Sequence, residues 1–267
     1  MLDNPMIEDA LLENPVLASE VLNGAIVDNG AVVDNDAMIR LNHATLSALA
    51  ENDRLAPGPL SVAPEGNRHW LYRSLKRALD IVGTLALLVI LSPVMIVSFL
   101  LLLLTTKGRP IFVQERVGQC GRLFSMYKFR TMCIDAHAKQ HGIANEMGGP
   151  VFKNRYDPRI TRLGGILRRW SIDETPQLFN VLLGDMTLVG PRPPIMSEVV
   201  RYEPWQQRRL SVTPGLTCLW QVSGRNEIGF EDWVRMDIWY IENQNLLTDL
   251  KLLVRTPLSV LSRRGAF

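Results

Sequence analysis

Asp173 and Glu174 are adjacent carboxylates that follow closely on the arginine pair Arg168 and Arg169. Ser171, with Glu174 three residues on, has the form of a capping box, and Asp173 in a first helical turn suits the helix dipole. Those two facts alone support a structural role. The setting points further, because a helix N-terminus beside arginines suits a phosphate. Two carboxylates would repel that phosphate. A hard cation such as Mg2+ resolves the conflict by joining carboxylate and phosphate oxygens, which leaves the remaining carboxylate to attack phosphorus.

Other cations sit where a phosphate site would need them. Lys128 and Arg130 emerge at the end of a predicted strand, where paired cations can hold a diphosphate. Arg192 is fixed between Pro191 and Pro193, and Arg225 follows Gly224 at another predicted strand end. Each alone is an ordinary surface charge. The chain has no G-x-x-x-x-G-K-[ST] and no G-x-G-x-x-G, so neither a P-loop nor a dinucleotide fold is indicated. His137 and His141 have the i, i+4 spacing of a metal pair, though a solvated helix face is the blander account. Cys120, Cys133 and Cys218 form no C-x-x-C, which argues against a disulfide framework and a zinc site and fits a reducing cytosol.

These residues need a scaffold, and its most conspicuous part is an uncharged apolar run over 81–106. As one straight helix it would be roughly 39 Å long, against the ~30 Å of a bilayer's hydrocarbon core. Pro93 interrupts it near the middle, where a proline costs an ordinary helix about 3 kcal/mol. Ser92 can bond the carbonyl that Pro93 frees. Basic residues flank both ends: Arg68, Arg73, Lys76 and Arg77 before, Lys107, Arg109 and Arg116 after. The positive-inside rule then places both ends in the cytoplasm. A re-entrant helix–Pro–helix hairpin over 68–110, kinked at Ser92 and Pro93, satisfies both observations; a kinked single span is the alternative.

The net charge of +2 conceals an asymmetry, since residues 1–67 carry eleven Asp and Glu against two Arg. Few large apolar residues accompany that acidic charge, so 1–67 is expected to be a disordered tail. The basic remainder favours phospholipid heads and phosphorylated substrates. Beyond the apolar run, residues 111–117 and 122–129 alternate as two strands joined by a short loop. Helices are expected from 130, in the second half of 160–170, from Ser171 to a stop at Gly184, near 196–210, and in two stretches over 230–262 with a bend at Pro257. Residues 216–222 read as a strand. The expected fold is α+β: the membrane hairpin, then a catalytic domain over 111–267 with a small antiparallel sheet and several membrane-surface helices.

The ordered motifs make a resemblance specific. Lys76-Arg77-Ala-Leu-Asp80, Ser92-Pro93, Lys128-Phe-Arg-Thr-Met132, Asp157-Pro-Arg-Ile-Thr161 and Leu167-Arg168-Arg169 are followed by Ser171-Ile-Asp-Glu-Thr-Pro-Gln-Leu178 and Gly184-Asp185-Met186. Val189-Gly-Pro-Arg-Pro193, Pro214-Gly215, Trp220-Gln221, Gly224-Arg225-Asn226 and Asp237 with Tyr240 complete the series. Over about 72–267 the chain resembles the bacterial sugar transferases, monotopic phosphoglycosyl transferases that load a sugar phosphate onto polyprenyl phosphate. The C-terminal Ser262-Arg263-Arg264-Gly265-Ala266-Phe267 is similar to the ending of exopolysaccharide-type members, with one extra Arg. Thr175 stands where the family usually has Leu.

The resemblance implies that Asp173 attacks the sugar-linked phosphate of a UDP-sugar and expels UMP. Glu174 would help hold Mg2+, with Asp237 a weaker candidate ligand. Lys128, Arg130, Arg168, Arg192 and Arg225 would bind the substrate's phosphates. The acceptor would be undecaprenyl phosphate at the cytoplasmic face of the inner membrane, in the first membrane step of exopolysaccharide or other glycoconjugate synthesis. A homo-oligomer is compatible with this reading, and nucleic acid is not an expected partner. Two other classes make different predictions: a membrane-anchored interaction protein with a basic lipid-binding face would release no UMP, and a nucleic-acid-binding module would bind polynucleotide with steep salt dependence.

Overall fold

The computed structural model describes residues 62–262 apart from 64, 65, 68, 107, 137, 138, 140–142, 147, 148, 153 and 225–227. Arg225, His137 and His141 lie outside the described residues, as does the expected acidic tail except for residues 62, 63, 66 and 67.

The apolar run lies within a single 36-residue helix, α1 (Trp70–Thr105), with Pro93 inside it. Pro93 has no N–H to offer the carbonyl of Val89; the Ser92 hydroxyl donates to that carbonyl instead, at 2.9 Å. The sequence reading divides this segment into two helices at Pro93, whereas the structure keeps one.

Two strands follow, β1 (Ile111–Val117) and β2 (Leu123–Phe129), paired antiparallel from Ile111↔Phe129 to Val117↔Leu123. Then come α2 (Arg162–Arg169), a 3-10 turn (Ile172–Glu174), α3 (Gln177–Leu183) and β3 (Thr187–Val189). Short helices α4 (Met196–Val199) and α5 (Pro204–Gln207) precede β4 (Gly215–Thr217) and α6 (Leu219–Ser223). The described chain closes with α7 (Phe230–Glu242) and α8 (Leu246–Ser262), the latter containing Pro257. This mixture of helices and small sheets is α+β. Its second sheet, β3 with β4, is parallel rather than part of one antiparallel sheet.

Several elements depart from the sequence reading. Residues 130–135 form no helix: Met132 makes an isolated bridge to Ile160, and Cys133 N–H donates to the Arg159 carbonyl. Residues 216–222 split between β4 and α6, and 196–210 breaks into α4, α5 and a 3-10 turn. Pro204 at the first turn of α5 is compatible only with a fresh helix start there, which explains the break. The stop at Gly184 holds, with the glycine at φ 90° in the left-handed region.

Side chains from both ends of α1 meet the rest of the molecule. Tyr72, Asp80, Thr84, Ser98 and Leu102 are buried. Leu87, Leu88 and Leu91 pack against a core that includes Phe124, Leu178, Leu188 and Tyr240. Leu102 packs with Phe129 and Leu167, joined by Met95. Polar anchors reinforce this stripe. The Asp80 carboxylate accepts from the Thr187 hydroxyl and the Leu188 N–H, each at 2.8 Å. Arg77 donates to the carbonyls of Val181 and Leu182 at the end of α3, at 2.7 and 2.8 Å. The opposite face is bare, with Val89 74% and Ile90 69% exposed. A soluble core helix would be mostly covered, but only 11% of the most apolar stretch of α1 is buried. This helix is long and apolar enough to associate with a membrane.

Candidate active site

Lys128 lies near the end of β2, and the carboxylates lie on the turn before α3; Asn180 fixes these elements to one another. Its side chain is fully buried. Asn180 Oδ1 accepts from the Tyr127 N–H at 3.1 Å, and Nδ2 donates to the Ser125 carbonyl at 2.7 Å. A second brace joins α2 to the segment after β2. There Thr161 caps α2, accepting from the Gly164 N–H at 3.0 Å, and Gly164 runs so close to the Thr131 backbone that a side chain would collide with it. This approach lets Arg168 Nε donate to Thr131 Oγ1 at 2.9 Å.

Ser171 does not form the expected capping box. It adopts the left-handed conformation, φ 55°, and its side chain makes no capping bond. Glu174 turns toward cations instead. Its Oε1 accepts from Lys128 Nζ at 3.0 Å and from Arg192 Nη1 at 2.9 Å. Asp173 is 8% exposed, and its carboxylate accepts no hydrogen bond from any described residue.

These groups line a cleft of about 700 Å³ that also receives Arg130 and Arg168. Among the described residues, eight Lys and Arg side chains line it against four Asp and Glu, so the cleft favours a multiply charged anion. Burial and the neighbouring Glu174 push the Asp173 carboxyl above the usual carboxylate range, with Lys128, Arg168 and Arg192 opposing. Burial would raise Glu174 too, but Lys128 and Arg192 outweigh it and hold that carboxyl well below its ordinary value. Burial lowers Lys128 to about 8 despite Glu174, assisted by the positive charges of Arg192 and Arg116.

The structure therefore brings together Lys128, Arg168, Asp173, Glu174 and Arg192. Arg130 reaches the same cleft but is tied at its edge, donating from Nε to the Arg109 carbonyl at 2.8 Å and lying over the Phe112 ring. Asp237 is placed elsewhere. It is 1% exposed, does not line the cleft, and is ion-paired to Arg209 at 2.7 Å. The structure therefore does not bring Asp237 together with Asp173 and Glu174, and pairs it with Arg209 instead. Sequence reasoning missed Asn180, Thr131, Arg116 and Arg209. Only the motif memberships of Thr131 and the spacing of Asn180 within its helix hinted at them, since their partners are remote in sequence.

Among the described residues, no group of three or more His, Cys, Asp or Glu is placed to hold a metal ion. Mg2+ is commonly held by one or two carboxylates together with substrate phosphates. Asp173 and Glu174 supply such a pair: Asp173 accepts no hydrogen bond from a described residue, and both cation contacts to Glu174 fall on Oε1. The donor set thus fits a phosphate-bridged Mg2+ and not an all-protein cage.

The family model for bacterial sugar transferases matches residues 71–263. This chain belongs to the bacterial sugar transferase family. It is 47% identical over 195 residues to the galactosyl transferase CpsE of Streptococcus agalactiae, covering 72% of this chain and 43% of that protein. It is 44% identical over 202 residues to the undecaprenyl-phosphate galactose phosphotransferase of Salmonella typhimurium, covering 73% and 42%. The exopolysaccharide production protein ExoY of Sinorhizobium fredii is 35% identical over 198 residues, covering 72% and 88%. The match thus spans about two fifths of the length of the first two relatives and most of the third.

Proposed function

We propose that this sugar transferase moves a sugar 1-phosphate from a UDP-sugar to polyprenyl phosphate, releasing UMP through an aspartyl-phosphosugar intermediate. One observation carries the reading: Asp173 is a buried carboxylate with no hydrogen-bond donor among the described residues, set in a cationic cleft. A membrane-anchored interaction module has no need of such a group. The printed names of two relatives, a galactosyl transferase and an undecaprenyl-phosphate galactose phosphotransferase, support a hexose donor and an undecaprenyl-phosphate acceptor.

In the first step an Asp173 oxygen attacks the phosphorus bonded to the sugar. The bond from that phosphorus to the bridging oxygen of UMP breaks, and UMP leaves with the electron pair. An oxygen of polyprenyl phosphate then attacks the same phosphorus. The aspartyl O–P bond breaks, restoring the Asp173 carboxylate and yielding the polyprenyl diphosphate sugar. Arg192 uses one guanidinium nitrogen on Glu174 and retains others for phosphate oxygens. Lys128 and Arg168 add positive charge along the same wall. Mg2+, which Glu174 would help hold, would neutralise phosphate charge as a Lewis acid and leave Asp173 to attack.

The proposed setting is the cytoplasmic face of the inner membrane, with α1 re-entrant in one leaflet. Contacts of Tyr72 and Leu102, near opposite ends of α1, with the same catalytic domain support that topology. So does the positive charge on both flanks.

The test is Asp173→Asn, which preserves shape and removes the attacking oxyanion. The variant is expected to fold and to join membranes normally yet release no UMP from any UDP-sugar, with UDP-galactose first in the panel. The unaltered enzyme without acceptor is expected to give a stoichiometric UMP burst and a mass increase of one sugar phosphate on the peptide containing Asp173. An active Asn variant, or a burst that strictly requires acceptor, would refute the double displacement.

A further inference from the structure

Arg192 sits on a backbone segment whose carbonyls are held from several directions. Val189 accepts from Lys76 Nζ at 3.0 Å and from the Tyr240 hydroxyl at 2.9 Å. Pro191 accepts from the Gly215 N–H at 2.8 Å and Pro194 from the Val117 N–H at 2.9 Å. Pro193 accepts from Arg116 Nη1 at 3.1 Å. The Arg192 carbonyl itself accepts from Arg209 Nη2 at 3.0 Å. Three prolines in this segment fix φ and contribute no N–H of their own, so its placement depends on these outside donors.

Arg209 is the most deliberately built of them. It is 2% exposed and lies between the Tyr202 and Trp233 rings. Its Nη1 donates to the Tyr202 hydroxyl at 2.7 Å, and its Nη2 donates to Asp237 Oδ2 at 2.7 Å as well as to the Arg192 carbonyl. Stability alone is a poor account of such a pair, because a buried ion pair often gives way to apolar residues without loss. A fixed direction is what the pair supplies. The guanidinium of Arg192 leaves the same residue toward Glu174 Oε1.

We propose that Arg209, oriented by Asp237 and Tyr202, is a positioning residue that aims Arg192 at the reacting phosphates through its backbone carbonyl. This assigns Asp237 a role behind the site in place of metal ligation. The inference rests on the transfer reaction proposed above and deepens it.

The experiment is a double-mutant cycle on the full chain in membranes, read by UMP release. Arg209→Lys keeps a positive charge for Asp237 but loses the fork that reaches the Arg192 carbonyl. It is expected to fold with an ordinary melting curve and to lose about 10- to 100-fold in kcat, with KM for UDP-sugar changed less than about threefold, since only the aim of Arg192 is lost. In an Arg192→Ala background the same change is expected to cost less than about threefold. A merely structural role would instead multiply with Arg192→Ala. If Arg209→Lys does not fold, the pair Arg209→Met with Asp237→Leu removes both buried charges together and takes its place in the cycle. Full kcat in the Arg209 variant, or equal losses in both backgrounds, would overturn the inference and leave the proposed reaction standing. Unchanged UMP release in Arg192→Ala alone would also overturn the inference, whereas no UMP release from the unaltered enzyme with any UDP-sugar would overturn the reaction on which it rests.

Discussion

Glu174→Gln distinguishes a helix cap from a working carboxylate. Gln also serves at the capping-box position, so a cap alone would survive the change. The structure assigns Glu174 a different load: Oε1 bridges Lys128 and Arg192 at 3.0 and 2.9 Å, with the Glu174 side chain 19% exposed. Hydrogen bonds to charged groups contribute about 1.5–3 kcal/mol each, and a neutral acceptor recovers about half of that. Two weakened bonds therefore cost about 1.5–3 kcal/mol of positioning, or roughly 10- to 100-fold in rate at about 1.4 kcal/mol per tenfold. On the proposed mechanism, loss of a Mg2+ ligand adds to this. Lys128 adds a third effect, since it is protonated below about 8 and Glu174 is the largest influence holding it that high. Without Glu174 its pKa falls, and less of the ammonium form remains at neutral pH.

The assay is UMP release across a Mg2+ titration at fixed pH. The unaltered enzyme is expected to lose activity with a chelator and regain it with Mg2+ or Mn2+. The Gln variant is expected to be about 100- to 1000-fold slower and to require more metal for half-maximal rate. Activity within about threefold of the parent at the same Mg2+ would refute the account of Glu174. Full turnover in metal-free buffer would remove the metal from the mechanism.

Asn180→Ala is expected to destabilise the protein by about 1–3 kcal/mol, because it removes a fully buried side chain and its bonds to the Tyr127 N–H and the Ser125 carbonyl. An unchanged melting temperature would show that β2 and α3 do not depend on this bridge. For topology, single cysteines in the N-terminal tail and near the C-terminus of a Cys-free variant are both expected to be shielded from an impermeant reagent outside intact cells. Labelling at one end only would establish a single span, and Pro93→Leu is expected to shift some molecules toward that state.

Local signals in the sequence were legible. The alternation in 111–117 and 122–129, the stop at Gly184 and the Ser92 hydroxyl opposite a proline-freed carbonyl each depend on neighbours in the chain. The misreadings share a cause. Ser171 and Glu174 have capping-box spacing, but the left-handed Ser171 turns Glu174 toward Lys128 and Arg192, remote residues that no local pattern can register. Residues 130–135 are drawn out of helix by pairing with 159–161 across a long loop. Asp237 illustrates the same limit at the site. Its residue type suits a metal, and only the fold shows Arg209 already bonded to it.

The polar residues of α1 connect its membrane role to catalysis. Asp80, Thr84 and Ser98 are all buried on α1, and a carboxylate facing lipid would carry a heavy penalty. Asp80 instead meets Thr187 and Leu188 on β3. The helix therefore cannot, on the proposed topology, drift away from the domain without exposing a carboxylate to hydrocarbon. On the proposed topology, this holds the catalytic cleft against the leaflet that contains the polyprenyl phosphate head group. Four residues before Asp80, Lys76 holds the Val189 carbonyl and pairs with the fully buried Asp249 at 3.0 Å. Val189 opens the segment that carries Arg192. On the proposed function, the helix that seats the enzyme on its lipid substrate thus also braces the loop that carries Arg192.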